Sequence, residues 1–84
     1  MAKLWFQNNN GEERVIAEVN NFDDVYKEID KFIDRCNEGR PENKQFKIYY
    51  TRIYEENGRT KLDVGSWSEF FYTDLEYEVQ RNDS

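Results

Sequence analysis

The sequence predicts an α+β fold in which a single helix packs on a four-stranded, mainly antiparallel sheet, in the chain order β-β-α-β-β. Two pairs of alternating apolar and polar runs predict two hairpins, because each pair encloses an Asn-Gly dipeptide. Between them, residues 22–36 place apolar side chains three and four positions apart, as an amphipathic helix does. The 84 residues suffice for one domain, with an ordered core expected over about residues 2–74 and a less certain tail over 75–84.

The first hairpin is predicted over residues 3–19. Leu4 and Phe6 share one face of its first strand. In its second strand the alternation places Val15, Ala17 and Val19 on one face and Arg14, Ile16 and Glu18 on the other, and we expect the face of Val15 to point toward the core. The turn dipeptide lies within a longer polar stretch, so a loop of more than two residues is expected.

The helix is bounded by start and stop signals that agree with its apolar spacing. Its apolar stripe consists of Phe22, Val25, Ile29, Phe32, Ile33 and Cys36. Asn21 can cap the N-terminus, while Gly39 suits the left-handed residue after the helix and Pro41 prevents continuation. Because Cys36 lies on the apolar stripe, we interpret it as a small buried residue and not as a nucleophile.

The second hairpin is predicted over residues 45–67, with a two-residue turn at Asn57-Gly58. That turn sets a strand register that brings opposite charges and ring–cation neighbours together. The predicted pairs are Arg52–Asp63, Ile53–Leu62, Tyr54–Lys61, Thr51–Val64, Tyr50–Gly65 and Ile48–Trp67.

After Gly65 the alternation breaks, and residues 66–74 either continue past a bulge or bend into a further edge strand. Residues 75–84 are expected to form a short extra strand or a frayed tail. Residues 63–78 combine aromatic rings with carboxylates, which a plain core strand does not need. We therefore interpret this stretch as the last strand of the sheet and as its contact edge.

Composition excludes several classes of protein. A single cysteine rules out an intrachain disulfide, and no histidine is present to act as the usual general base or metal ligand. No glycine-rich phosphate loop or membrane-length apolar run occurs, and the net charge is −6. We therefore expect a cytoplasmic binding protein and not an enzyme, with no cofactor, no metal, no membrane contact and no direct nucleic-acid binding.

One helix can cover only one face of the sheet. We expect it to cover Val15, Ile53, Leu62 and Val64, and the opposite face to show Phe46, Ile48, Tyr50, Tyr54 and Trp67. So large an apolar area is unusual for the surface of a monomer. Three explanations remain open: the C-terminal segment folds back over it, two copies pair through it as a homodimer, or it binds another molecule.

Two sets of residues are candidate binding sites. The first combines aromatic anchors with acidic rim residues that suit a basic surface on a host protein, for example a nuclease: Trp67, Glu69, Phe70, Tyr72 and Asp74. The alternative set combines rings that stack on a base with cations that meet phosphate, as in a binder that sequesters a nucleotide signal: Tyr50, Arg52, Tyr54 and Lys61.

The stretches KLWFQNNNGEERVIAEVNNFDDVYKEIDKFID and KIYYTRIYEENGRTKLDVGSWSEFFY resemble small proteins encoded by phages and prophages of Gram-positive bacteria. The resemblance covers roughly residues 3–73, and DVGSWSEFF is its most specific part. It implies no catalytic residues. It implies instead an inhibitor of a host defence or nucleic-acid enzyme, of the anti-CRISPR or anti-restriction type, that works by protein–protein contact in the host cytoplasm. A self-associating structural phage protein is the remaining alternative.

Overall fold

The computed structural model describes residues 2–66 and 68–76, which form one helix and a five-stranded antiparallel sheet. The elements are β1 (Ala2–Gln7), β2 (Glu13–Val19), α1 (Phe22–Asn37), a 3₁₀ turn (Glu42–Lys44), β3 (Arg52–Glu56), β4 (Arg59–Asp63) and β5 (Phe70–Thr73). The predicted α+β class and the β-β-α-β-β order with a short extra C-terminal strand are confirmed, and that strand lies within residues 66–74. The expectation for residues 75–84 falls mostly outside the described residues.

The extra strand lies at the centre of the sheet, whose order is β2-β1-β5-β4-β3. It runs antiparallel to β1 on one side and to β4 on the other. The expectation that this segment forms a contact edge is therefore wrong. A strand that follows two completed hairpins can bond to one inner edge of each, and it joins them into one sheet. The edge strands are β2 and β3, each paired on one side only among the described strands.

The helix has the predicted ends. The Asn21 side chain accepts a hydrogen bond from the Asp24 backbone N–H at 2.9 Å, and the Asp24 carboxylate accepts one from the Asn20 N–H at 3.0 Å. After the helix, Gly39 has a φ of +75°, a left-handed conformation that costs glycine little. The lone cysteine, Cys36, is partly buried and packs against the core.

The second hairpin has the predicted turn and register. Asn57 and Gly58 both have positive φ, 53° and 81°, and three of the predicted pairs form, Arg52–Asp63, Ile53–Leu62 and Tyr54–Lys61. The pairing ends there. At the next positions the Tyr49 N–H donates to the Val64 carbonyl at 3.1 Å, so the predicted Thr51–Val64 pair is not formed. The predicted Ile48–Trp67 pair lies outside the described residues.

The first hairpin contains a β-bulge that reverses the predicted facing of half of β2. Leu4 pairs with Ala17 but Trp5 pairs with Val15, so Ile16 is the extra residue. Val15 is therefore turned away from the core, with 49% of its surface exposed, and its predicted core position is wrong. The same shift turns Arg14 to the helix side of the sheet.

The core lies between the helix and one sheet face and centres on the rings of Phe6, Phe32, Phe46 and Phe71. The Phe6 and Phe32 ring centroids are 4.5 Å apart, and Phe71 meets Phe32 edge to face at 5.9 Å. Phe46 lies 6.5 Å from both Phe6 and Phe71, so its predicted place on the opposite face is wrong. Asn37 explains this position, because its side chain bonds to both the N–H and the carbonyl of Phe46, at 2.7 and 2.9 Å.

Two threonines are buried on the same face, and both reach partners near the end of the described chain. The Thr60 hydroxyl donates to the Leu75 carbonyl at 2.6 Å, and the Leu75 N–H donates to the Thr73 hydroxyl at 3.2 Å. Leu75 also packs against the core, so the segment after β5 is held at its start. Within the described ranges, no helix has both the length and the apolar character needed to cross a membrane.

Candidate functional site

The sheet face opposite the helix, called here the open face, is built from alternate residues of the central strands. Trp5, Tyr72, Lys61 and Tyr54 lie side by side across β1, β5, β4 and β3. The Lys61 ammonium lies 4.0 Å from the Phe70 ring centroid and 3.0 Å from a Glu56 carboxylate oxygen. Its side chain is only 12% exposed, so the charge is held against rings and is not free to meet a ligand.

A second cation, Arg59, crosses the open face as a strap. Its guanidinium lies 4.3 Å from the Tyr72 ring centroid and 5.3 Å from that of Trp5. Beyond those rings it forms two parallel hydrogen bonds to the Glu13 carboxylate, at 2.7 and 3.0 Å. The side chain thus starts on β4, passes over β5 and β1, and ends on β2. This strap covers Tyr72, one of the rings predicted to bind a partner.

The electrostatics of the open face favour its charged forms. The hydrogen bond from Arg59 lowers the pKa of Glu13, and the same bond raises the pKa of Arg59. For Lys61, burial opposes the charge, but Glu56 and Tyr72 outweigh it and the pKa is raised. Burial raises the pKa of Tyr72. Both cations therefore stay protonated and bound in place at physiological pH.

Beside the open face lies an exposed apolar patch, called here the tyrosine strip: Ile48, Tyr49, Tyr50 and Tyr54. These are four of the six large apolar side chains that are strongly exposed among the described residues, and Tyr49 is 74% exposed. The strip borders the open edge strand β3. Arg52 stands within it, with its guanidinium 5.2 Å from the Tyr50 ring centroid.

The residues first predicted to bind a partner do not form one patch. Phe70 lies under Lys61, Tyr72 is only 7% exposed beneath Arg59, and Trp67 lies outside the described residues. Asp74 is exposed and accepts a long hydrogen bond of 3.5 Å from the Lys3 N–H. Glu69 is on the other side of the sheet, where it lines a cleft.

The alternative predicted set is contiguous. Tyr54 pairs with Lys61 across the strands, and Arg52 stacks with Tyr50 at the same edge. Lys61 is already bound to Glu56, however, so Arg52 is the cation of this set that stays exposed.

The cleft on the helix side was not predicted. It has a volume of about 570 Å³, and its lining includes Phe32, Phe46, Arg14, Arg40 and Glu69. Burial raises the pKa of the Glu69 carboxyl, and the charge of Arg40 acts in the opposite direction. The sequence offers no signal for this grouping, because simple alternation places Arg14 on the wrong face and the bulge corrects it.

Among residues 2–66 and 68–76, no group of three or more carboxylate or thiol side chains is placed to hold a metal ion. No protein-family model, curated protein or solved structure matches the chain.

Proposed function

We propose that this protein is a non-catalytic binding protein that acts by protein–protein contact through the tyrosine strip and the neighbouring edge strand β3. The observation that carries the proposal is the concentration of exposed apolar side chains in residues 48–54, next to a strand edge that no described strand pairs with. Tyrosine and arginine are the side chains that most often supply binding energy at protein interfaces. Isolated exposed apolar residues need no explanation, but a contiguous group does.

The chemistry of the strip supports a protein partner better than a small ligand. Its rings are exposed along residues 48–54, and the cavity that Tyr49 borders is formed with residues outside the strip. An open strand edge also offers backbone N–H and C=O groups to an extended partner segment. The strip therefore supplies anchors, and the edge supplies hydrogen bonds.

The net charge of −6 favours a basic partner, since opposite charge speeds encounter and suppresses wrong partners. The resemblance to small phage and prophage proteins supports a basic protein of the bacterial host as the target. We therefore propose an inhibitor of a host defence or nucleic-acid enzyme, such as a nuclease, acting in the host cytoplasm. The acids near the C-terminus contribute to this long-range attraction, while the direct contacts lie at the strip.

Co-purification from a bacterial lysate, followed by mass spectrometry, tests the proposal. The wild-type protein is expected to retain a basic protein, and the double variant Tyr49→Ser/Tyr50→Ser is expected to lose it, because the two rings supply the anchors. The matched control is Tyr26→Ser, which removes an exposed tyrosine from the helix. Retention of the same partner by the double variant would contradict the proposal.

Self-association through the same edge is the competing outcome, and it has its own readout. If two copies pair along β3, sedimentation velocity will show a dimer in wild type and a monomer in the double variant. The proposal predicts a monomer for both.

The nucleotide-binding alternative at Tyr50, Arg52 and Tyr54 has a different readout. A nucleotide would raise the melting temperature of the wild-type protein, and Arg52→Gln would abolish that rise.

A further inference from the structure

The helix-side cleft has the chemistry of a small-ligand site, and Tyr49 of the tyrosine strip borders a neighbouring cavity together with Phe46 and Glu69. Its volume of about 570 Å³ lies within the range of about 300–1,000 Å³ common for ligand pockets. It is bounded by the loop after β1, the start of β2, the last turns of the helix and Glu69. Apolar rings and charged groups meet there, as they do in many ligand pockets.

Two arginines line the cleft without forming a salt bridge, although the charge of Arg40 acts on Glu69. Two further carboxylates line it, Glu12 and Glu13, and Glu13 is already bound to Arg59. Within the described residues, no ion pair within 4.0 Å involves Arg14 or Arg40. Arg14 is instead placed by its contact with the Phe32 ring, 5.6 Å from the centroid. Unpaired arginines that border a common cleft favour a doubly charged oxyanion such as a phosphate monoester, which offers oxygens to both.

The opposite charge in the cleft has unused acceptor capacity. The Glu69 carboxylate accepts no hydrogen bond within the described part of the chain, although its own backbone N–H is fixed by a bond to the Ser66 hydroxyl at 3.2 Å. An ionised carboxylate is an acceptor only, with two oxygens. It therefore selects a ligand that presents two donors side by side.

Phe46 supplies the apolar surface between these charged groups. Phe46 is the partly exposed member of the four-ring cluster. The Asn37 side chain forms hydrogen bonds to both its backbone N–H and its carbonyl. Such a fixed ring offers a stacking partner for a planar ligand. A side chain fixed in this way needs little reorganisation on binding.

We propose that this cleft binds a guanine nucleoside monophosphate. The phosphate meets Arg14 and Arg40, the base stacks on Phe46, and the adjacent N1–H and N2–H donors of guanine meet the Glu69 carboxylate. Adenine presents no such donor pair, and hypoxanthine presents N1–H without the amino group. The site is separate from the part of the proposed protein contact that lies on the open face, on the other side of the sheet.

Titration of the ¹⁵N-labelled protein with guanosine monophosphate, followed by amide chemical shifts, tests the assignment. Saturable shifts are expected at cleft residues such as Asn9 and Arg40, and none at Tyr54, which lies on the open face. Inosine monophosphate, guanosine alone and inorganic phosphate are each expected to bind at least about tenfold more weakly, because each lacks one part of the recognition.

Variants assign the roles. Arg40→Gln is expected to weaken binding of guanosine monophosphate about tenfold, and Glu69→Gln to remove the preference over inosine monophosphate. Arg52→Gln is the matched control, since Arg52 is exposed on the far side of the sheet, and it should bind as wild type does. Preserved dispersion of the amide spectrum shows that each variant is folded.

The proposal is overturned if no saturable shift appears below about 10 mM ligand, a range that covers weak binding. It is also overturned if inosine monophosphate or phosphate alone binds as tightly as guanosine monophosphate, or if Arg52→Gln weakens binding as much as Arg40→Gln. The Tyr54→Ser variant changes a strip residue on the open face and should bind the nucleotide normally, so the two proposals fail independently.

Discussion

At the scale of single residues, local rules predicted what depends on local geometry. The cap at Asn21 and the positive φ at Gly39 and Gly58 follow from side-chain and backbone chemistry within a few residues. The role of Asn37 could not be predicted in this way. It holds Phe46 from nine positions away, and nothing in the sequence marks it as different from any other asparagine near a helix end.

Glu69 provides a residue-scale prediction about pH. Burial raises its pKa, so ionisation costs the folded state more than the unfolded chain, and stability falls as pH rises from the unfolded value of 4.5 through the folded value. Glu69→Gln removes that cost. We expect the variant to melt above wild type at pH 7, with the difference shrinking toward zero below about pH 4.

Differential scanning calorimetry of both proteins across this pH range measures the difference directly. Glu42→Gln is the matched control, because Glu42 is exposed in the 3₁₀ turn. A Glu69→Gln protein that melts below wild type at neutral pH would show that the carboxylate is stabilised by its surroundings and not penalised by them.

At the scale of elements, alternation predicted which segments are strands but not how each strand faces. One extra residue, Ile16, reverses every side chain that precedes it in β2, so Val15 faces outward and Arg14 reaches the helix side. No residue type in the sequence announces this bulge. The cleft depends on the same shift, which is why the candidate site on the helix side was missed.

The Arg59 strap connects β4 to β5, β1 and β2, and its removal is expected to destabilise the fold. Arg59→Ala loses two ring contacts and a partly exposed ion pair, and we expect a loss of about 1–2 kcal/mol in the free energy of unfolding. Arg59→Lys should lose less, since it keeps the charge but cannot form the bidentate bond to Glu13.

Urea denaturation followed by tryptophan fluorescence measures these differences, and Trp5 lies directly under the strap. Arg52→Ala is the control, because Arg52 contacts a single ring, Tyr50, and should cost clearly less. Equal losses for Arg59→Ala and Arg52→Ala would mean that the strap adds nothing beyond an ordinary surface arginine.

At the scale of the whole molecule, the two hairpins and the helix were predictable, and the way they combine was not. Strand order depends on which open edges the last segment meets, and that information is spread over residues far apart in the chain. Composition marked residues 63–78 as unusual, but the reason differs from the expected one. Phe70 and Tyr72 pack beneath two cations, so most of the strongly exposed rings among the described residues belong to the tyrosine strip.

The central claim is that β5 is an interior strand, and amide hydrogen exchange at single-residue resolution tests it most directly. A strand bonded on both sides protects consecutive amides, whereas an edge strand protects only alternate ones. The account predicts slow exchange at both Phe71 and Tyr72, with alternating protection along β3. Fast exchange at every second amide of β5 would contradict it, and would return the acidic and aromatic C-terminal segment to the edge of the sheet.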